Sequence, residues 1–98
     1  MAQYPIVPRP GGSASVLNIT AATVVKAAPG TIFTIVVTAA GSAAGSVHDV
    51  LTTGGAAAAN LVFAIPNTVG VYSLTFPCAV GIVVTPGTGG QVLSVAFA

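Results

Sequence analysis

From Val50 to Ala98 the chain carries no charged side chain, and Arg9, Lys26 and Asp49 are its only ions. Charged residues make up 3% of the 98 positions, against roughly 25% in ordinary soluble domains. A lone soluble domain keeps itself dispersed with mixed surface charge. A net charge of +1 does not provide that. The surface must therefore be Ser, Thr, Asn, Gly and Ala, or be covered by neighbours, and we expect both. The apolar fraction of 54% and mean hydropathy of +0.99 point the same way.

The charge pattern also excludes partners. Phosphate neutralisation needs clustered Lys and Arg, so no nucleic acid is expected. A membrane is not expected either. The most apolar stretch, Thr31–Val47, contains Gly41 and Gly45 in GxxxG spacing. It is interrupted by Thr34, Thr38, Ser42 and Ser46, whereas a spanning helix needs about 20 apolar residues. The N-terminus lacks a basic region followed by an apolar one, so no signal peptide is expected. The Asn18-Ile19-Thr20 glycosylation triplet then reads as chance.

Length allows one domain. Residues 1–17 differ from the rest. Pro5, Pro8, Pro10, Gly11 and Gly12 break any regular ladder, because proline removes a donor and fixes φ. Tyr4, Ile6 and Val7 are apolar anchors within that segment. We expect an extended N-terminal arm over 1–17 that lies across a neighbouring subunit, with Tyr4, Ile6, Val7 and Arg9 as interface residues; Arg9 is included because arginine pairs well across interfaces. Residues 18–98 are expected to form the β domain.

That domain reads as short strands between turns. The predicted strands are 18–28, 31–39, 47–53, 61–65, 71–76, 81–85 and 91–97. In 31–39, Phe33, Ile35 and Val37 alternate with Thr34 and Thr38, the period of a half-buried strand. Its β-branched residues suit a pleated surface. Tyr72, Leu74 and Phe76 should share one face, and Leu93, Val95 and Phe97 another. Residues 54–59 favour at most one helical turn, because two glycines precede the alanines and the run is short. Pro86–Gly90 should be a hairpin loop with a positive-φ residue. Six to eight short strands with turn signals about every ten residues predict an all-β domain, a β-sandwich or a jelly-roll-like barrel.

Parts for chemistry are scarce. General acid–base work needs positioned titratable groups, and the chain holds one carboxylate side chain, one His and one Cys. His48 and Asp49 are neighbours and would point to opposite faces of a strand. No catalytic residue, cofactor or metal site is expected, and the chain is not expected to be an enzyme. A structural zinc site wants four His or Cys ligands, more than one chain supplies. Cys78 should be a small buried hydrophobe; the alternative is an intersubunit disulfide formed in an oxidising medium. Gly87-Thr88-Gly89-Gly90 lacks the Lys and Ser/Thr of a phosphate loop. Phe33, Phe63, Tyr72, Phe76 and Phe97 should be core.

Four phrases carry a resemblance: NITAATVVKAAPGT (18–31), TAAGSAAGSVHD (38–49), AAAANLVFAIPNTVGV (56–71) and GIVVTPGTGGQVLSVAFA (81–98). Through them the chain from Asn18 to Ala98 resembles a group of small structural proteins of tailed-phage particles. The resemblance brings no catalytic motif. It implies a virion protein, made in the host bacterial cytoplasm. The leading expectation is a capsid decoration (cement) protein that binds neighbouring major capsid subunits as a homo-oligomer, with a trimer favoured. The alternatives are a head-fibre, tail or baseplate accessory and, in another class, a surface- or carbohydrate-binding β-sandwich module.

Overall fold

The computed structural model describes residues 14–98. Eight strands follow one another: β1 (Ala14–Ile19), β2 (Thr23–Lys26), β3 (Gly30–Ala39), β4 (Gly45–His48), β5 (Leu61–Ile65), β6 (Gly70–Cys78), β7 (Ile82–Thr85) and β8 (Val92–Phe97). Two short 3-10 turns, Thr53–Gly55 and Ala58–Asn60, lie between β4 and β5. Among the described residues no helix is long and apolar enough to cross a membrane.

The strands form two antiparallel four-stranded sheets, ordered β1-β8-β3-β6 and β2-β7-β4-β5. The pairings β1 with β8, β2 with β7, β3 with β6 and β4 with β5 are nested. They describe one long hairpin, turned between β4 and β5 and then rolled up. This is the jelly-roll form of the β-sandwich. Only β4 and β5 are paired neighbours in the chain; every other connection crosses between sheets. Pro86–Gly90 is therefore a crossover rather than the expected hairpin, although its positive-φ residues, Gly89 (83°) and Gly90 (98°), are present.

Alternation builds the core. Ile32, Ile35 and Val37 of β3 meet Leu93 and Val95 of β8, with Val47, Ile65, Ile82 and Val84 from the other sheet. Each such side chain contributes roughly 1.5–3 kcal/mol when fully buried. All buried side-chain nitrogens and oxygens among the described residues have hydrogen-bond partners.

Two expectations about β3 and β6 need correction. The inward residue at the start of β3 is Ile32, not Phe33, and Phe33 is only half-buried. Phe76 is 42% exposed. The cause is one irregularity: register with both neighbours shifts between Ile32 and Thr34. Leu74 and Thr75 of β6 together oppose Phe33, and Thr75 takes φ 54°. A bulge of this kind flips the alternation beyond it. Phe63, Tyr72 and Phe97 do pack against the core.

Strand β1 begins at Ala14 and pairs Ser15 with Ala96 and Val16 with Val95. The β domain thus takes in residues 14–17, which the sequence reading placed in the arm. The long first strand expected over 18–28 is instead two strands in different sheets, separated at residues 20–22. The strand expected to run to Thr53 ends at His48.

Candidate functional site

The expected interface residues Tyr4, Ile6, Val7 and Arg9 lie outside the described residues. Within them, chemistry-bearing side chains gather at the two ends of the sandwich and on the outer face of the β2-β7-β4-β5 sheet.

At one end the β3–β4, β5–β6 and β7–β8 loops are tied together by amides. Asn67 accepts from the Gly41 N–H (2.7 Å) and donates to the Gly41 carbonyl (2.7 Å). Gln91, 1% exposed, accepts from the Gly87 N–H (2.8 Å) and donates to the Pro66 carbonyl (3.1 Å). Ser42 donates to Thr88 O through its N–H (2.8 Å) and its hydroxyl (3.1 Å). These bonds make a neutral platform of small residues, with no charged side chain in any of the three loops.

At the opposite end, Asp49 holds the β6–β7 turn. Its Oδ2 accepts from Ala79 N–H (2.9 Å), and its Oδ1 from Val80 N–H (2.8 Å) and Gly81 N–H (3.1 Å). Partial burial pushes the Asp49 pKa upward. The hydrogen bonds from Gly81, Val80 and Ala79 outweigh it and hold the pKa below the ordinary 3.8. A carboxyl whose folded pKa is depressed stabilises the fold at pH values above its unfolded pKa. That contribution disappears as pH falls through the folded value. Asp49 is the sole carboxylate side chain, so this part of the acid response is traceable to one residue. Urea unfolding of Asp49→Ala should show a loss of about 1–2 kcal/mol at neutral pH, discounted for water access. The difference from wild type should shrink below about pH 4. A gap that is unchanged at pH 3 would contradict this assignment.

The outer face of the β2-β7-β4-β5 sheet is covered at its centre. His48 pairs with Val83 across β4 and β7; His48 is 8% exposed and Val83 0%. The 49–60 segment returns to this face. Asn60 donates from Nδ2 to Gly55 O (2.9 Å), which orients its amide. Its Oδ1 then accepts from Ala57 N–H (2.9 Å) and from His48 Nδ1–H (2.8 Å). With the proton on Nδ1, His48 Nε2 accepts from the Ser46 hydroxyl (3.0 Å).

Serine, imidazole and amide in this order have the connectivity of a nucleophile, its base and an orienting group. Two features set the Ser46–His48–Asn60 series apart from such a constellation. The third member is a neutral amide, which orients an imidazole but does not stabilise an imidazolium as a carboxylate does. In addition, β4 is paired on both sides at Ser46, so nearby N–H groups are spent in ladders rather than aimed at an oxyanion. The arrangement clamps the 49–60 segment to the sheet. His48 and Asp49, adjacent in sequence, go to separate partners.

Cys78 is 3% exposed and unpaired. Burial pushes its thiol up, the Asp49 carboxylate adds to this, and the pKa reaches about 11. The thiol is protonated at neutral pH and faces the core. This opposes the intersubunit disulfide considered above. Tyr72, the tyrosine of the described residues, donates to Thr68 O (3.0 Å) and sets its ring against Phe63, centroids 6.3 Å apart. It is not an open stacking platform for a sugar. Among the described residues no three His, Cys, Asp or Glu side chains gather to share a metal ion.

The sequence reading did not single out Asn60, Asn67 or Gln91. A signal was present: in a chain so poor in ions, amides are the side chains that donate two hydrogens from one atom and accept at another, and so can tie two segments at once. Asn60 and Gln91 each follow an Ala- or Gly-rich run, and Asn67 follows Pro66.

Fold and surface together define an eight-stranded jelly-roll domain with one neutral end, Asp49 at the other, and one outer face covered at its centre. Comparison of the chain with protein-family models, curated proteins and solved structures finds no match.

Proposed function

We propose that the chain is a structural subunit of a phage particle, a capsid decoration protein that binds neighbouring capsid subunits and stabilises the shell. The observation that carries this reading is the uncharged outer face of the β1-β8-β3-β6 sheet. Leu17 and Val71 are 70% and 67% exposed there, on a chain with almost no ions to keep such a surface apart from others. Exposed apolar area rimmed by neutral polar groups marks association surfaces. The jelly-roll form is compatible with the reading, since capsid domains use it, but so do lectins. The phage resemblance of residues 18–98 favours the particle. Association through apolar surface and backbone-polar contacts suits a neutral protein, whose binding should depend little on salt.

Tyr4, Ile6, Val7 and Arg9 are the proposed anchors on the shell. Deleting residues 1–12 should leave the β-rich circular dichroism spectrum intact. The truncated protein should no longer co-sediment with particles that lack the native protein. Binding by the truncated protein at wild-type affinity would remove the arm from the mechanism. A head-fibre or tail location is separated from the shell by imaging labelled protein on particles.

A further inference from the structure

The two outer sheet faces are not equivalent. On the β2-β7-β4-β5 sheet the 49–60 segment is pinned by Asn60, and Val83 and His48 are out of solvent. On the β1-β8-β3-β6 sheet the outward residues stay half-buried or exposed along all four strands. Register places Ser15, Ala96, Thr34 and Ser73 in one row across the sheet. Ser94, Val36 and Val71 form the next row, with the Leu17–Asn18 bulge of β1 beside them. We propose that this face is the surface through which copies of the chain bind one another. The proposal deepens the reading of the protein as an assembling subunit and rests on it.

Four observations select a second copy as the occupant. First, neither charged side chain of the described residues stands in the outward rows of this sheet: Asp49 lies beyond β4, and Lys26 of β2 reaches the end of β3 at Gly30, on the side that Ile32 faces. Two copies can therefore join here without opposing like charges or burying an ion, while a partner of complementary charge would find nothing to pair with. Second, the outward side chains are mostly small, Ser, Ala, Thr and Val, with Leu17 the largest of those named. Two pleated faces of that kind can approach to about 10 Å, the spacing of sheets inside a sandwich.

Third, the area is adequate. Four strands about 4.8 Å apart and about 20–30 Å long give a footprint on the order of 400–600 Å² per copy. Doubled, that is about 1,000 Å², the lower bound for a specific interface. Fourth, the sheet's edges are guarded. Asn18 (φ 55°) in β1 and Thr75 (φ 54°) in β6 sit at bulges in its two outermost strands. Bulges disrupt edge-to-edge pairing, which leaves the face as the route of association.

The test is sedimentation velocity with light scattering on the purified full chain, from about 1 μM to about 1 mM. Wild type should run as a dimer or a larger closed oligomer. The double variant Leu17→Lys/Val71→Lys should weaken association by tenfold or more. Val24→Lys, an exposed change on the other sheet, should not. Circular dichroism checks the fold of each variant, and Ser73→Lys, exposed on the same face, is the second variant if the double one unfolds.

A wild type that stays monomeric over the whole range overturns the proposal, as do face variants that associate like wild type. Particle co-sedimentation, measured alongside, keeps the two readings apart. A monomer that binds particles defeats the self-contact alone. An oligomer held by this face that binds no particle defeats the decoration reading alone.

Discussion

Gly87→Ala is expected to cost about 3–4 kcal/mol, enough to bring a small domain near its unfolding threshold. A Cβ at position 87 would collide with the Ala43 carbonyl oxygen and stand 2.9 Å from the Ala44 carbonyl carbon. Both atoms are backbone and cannot swing aside. Ser42 is tied to Thr88 and Gly41 to Asn67, so the β3–β4 and β7–β8 loops would have to part. Parting them strains the Gly87–Gln91 bond and the Gln91–Pro66 bond behind it. Gly54, with nothing within 4 Å of its would-be Cβ, is the control. Gly54→Ala should change stability by no more than about 0.5 kcal/mol. Urea midpoints measure both. Equal midpoints for the two variants would show that the loop interlock is not rigid.

The second large effect is expected at Asn60. Asn60→Ala removes the partners of His48 Nδ1, Ala57 N–H and Gly55 O together. The loss should be about 2–4 kcal/mol, because His48 is buried and its donor would be left unsatisfied. The damage should be local. Amides of 49–60 should exchange hydrogen faster and a protease should cut within this segment first, while the core strands β3 and β8 stay protected. Asn60→Asp keeps the acceptor for His48 and Ala57 and loses the donation to Gly55, so its protection should be intermediate. Unchanged exchange in 49–60 for Asn60→Ala would mean that something other than this amide holds the segment down.

These predictions concern residues that the sequence reading passed over, for a physical reason. A hydrophobic alternation is local. Leu93, Val95 and Phe97 could be placed inward from six consecutive residues, and β8 has them there. The positive φ in Pro86–Gly90 was likewise legible, because glycine pairs in turns have few other uses. The partner of an amide is not local. Gln91 meets Pro66, and Asn67 meets Gly41, across 25 and 26 residues of chain. Nothing in the flanking residues names those partners.

Phe33 and Phe76 show the same limit from another side. Their alternation is sound strand by strand, and it is undone by a bulge that exists only because three strands meet in a particular register. His48 reads as a polar residue on a strand edge. Its burial comes from a segment that returns twelve positions later to place Asn60 against it.

An all-β domain with short strands and a surface almost without ions could be inferred from residue order alone. Side-chain periodicity and charge count are properties of neighbours along the chain. The nested strand order, the three amide ties, the covered outer face and the bare one all arise from contacts between distant segments. Such contacts acquire definite partners once the long hairpin has rolled up and every buried donor has found its acceptor.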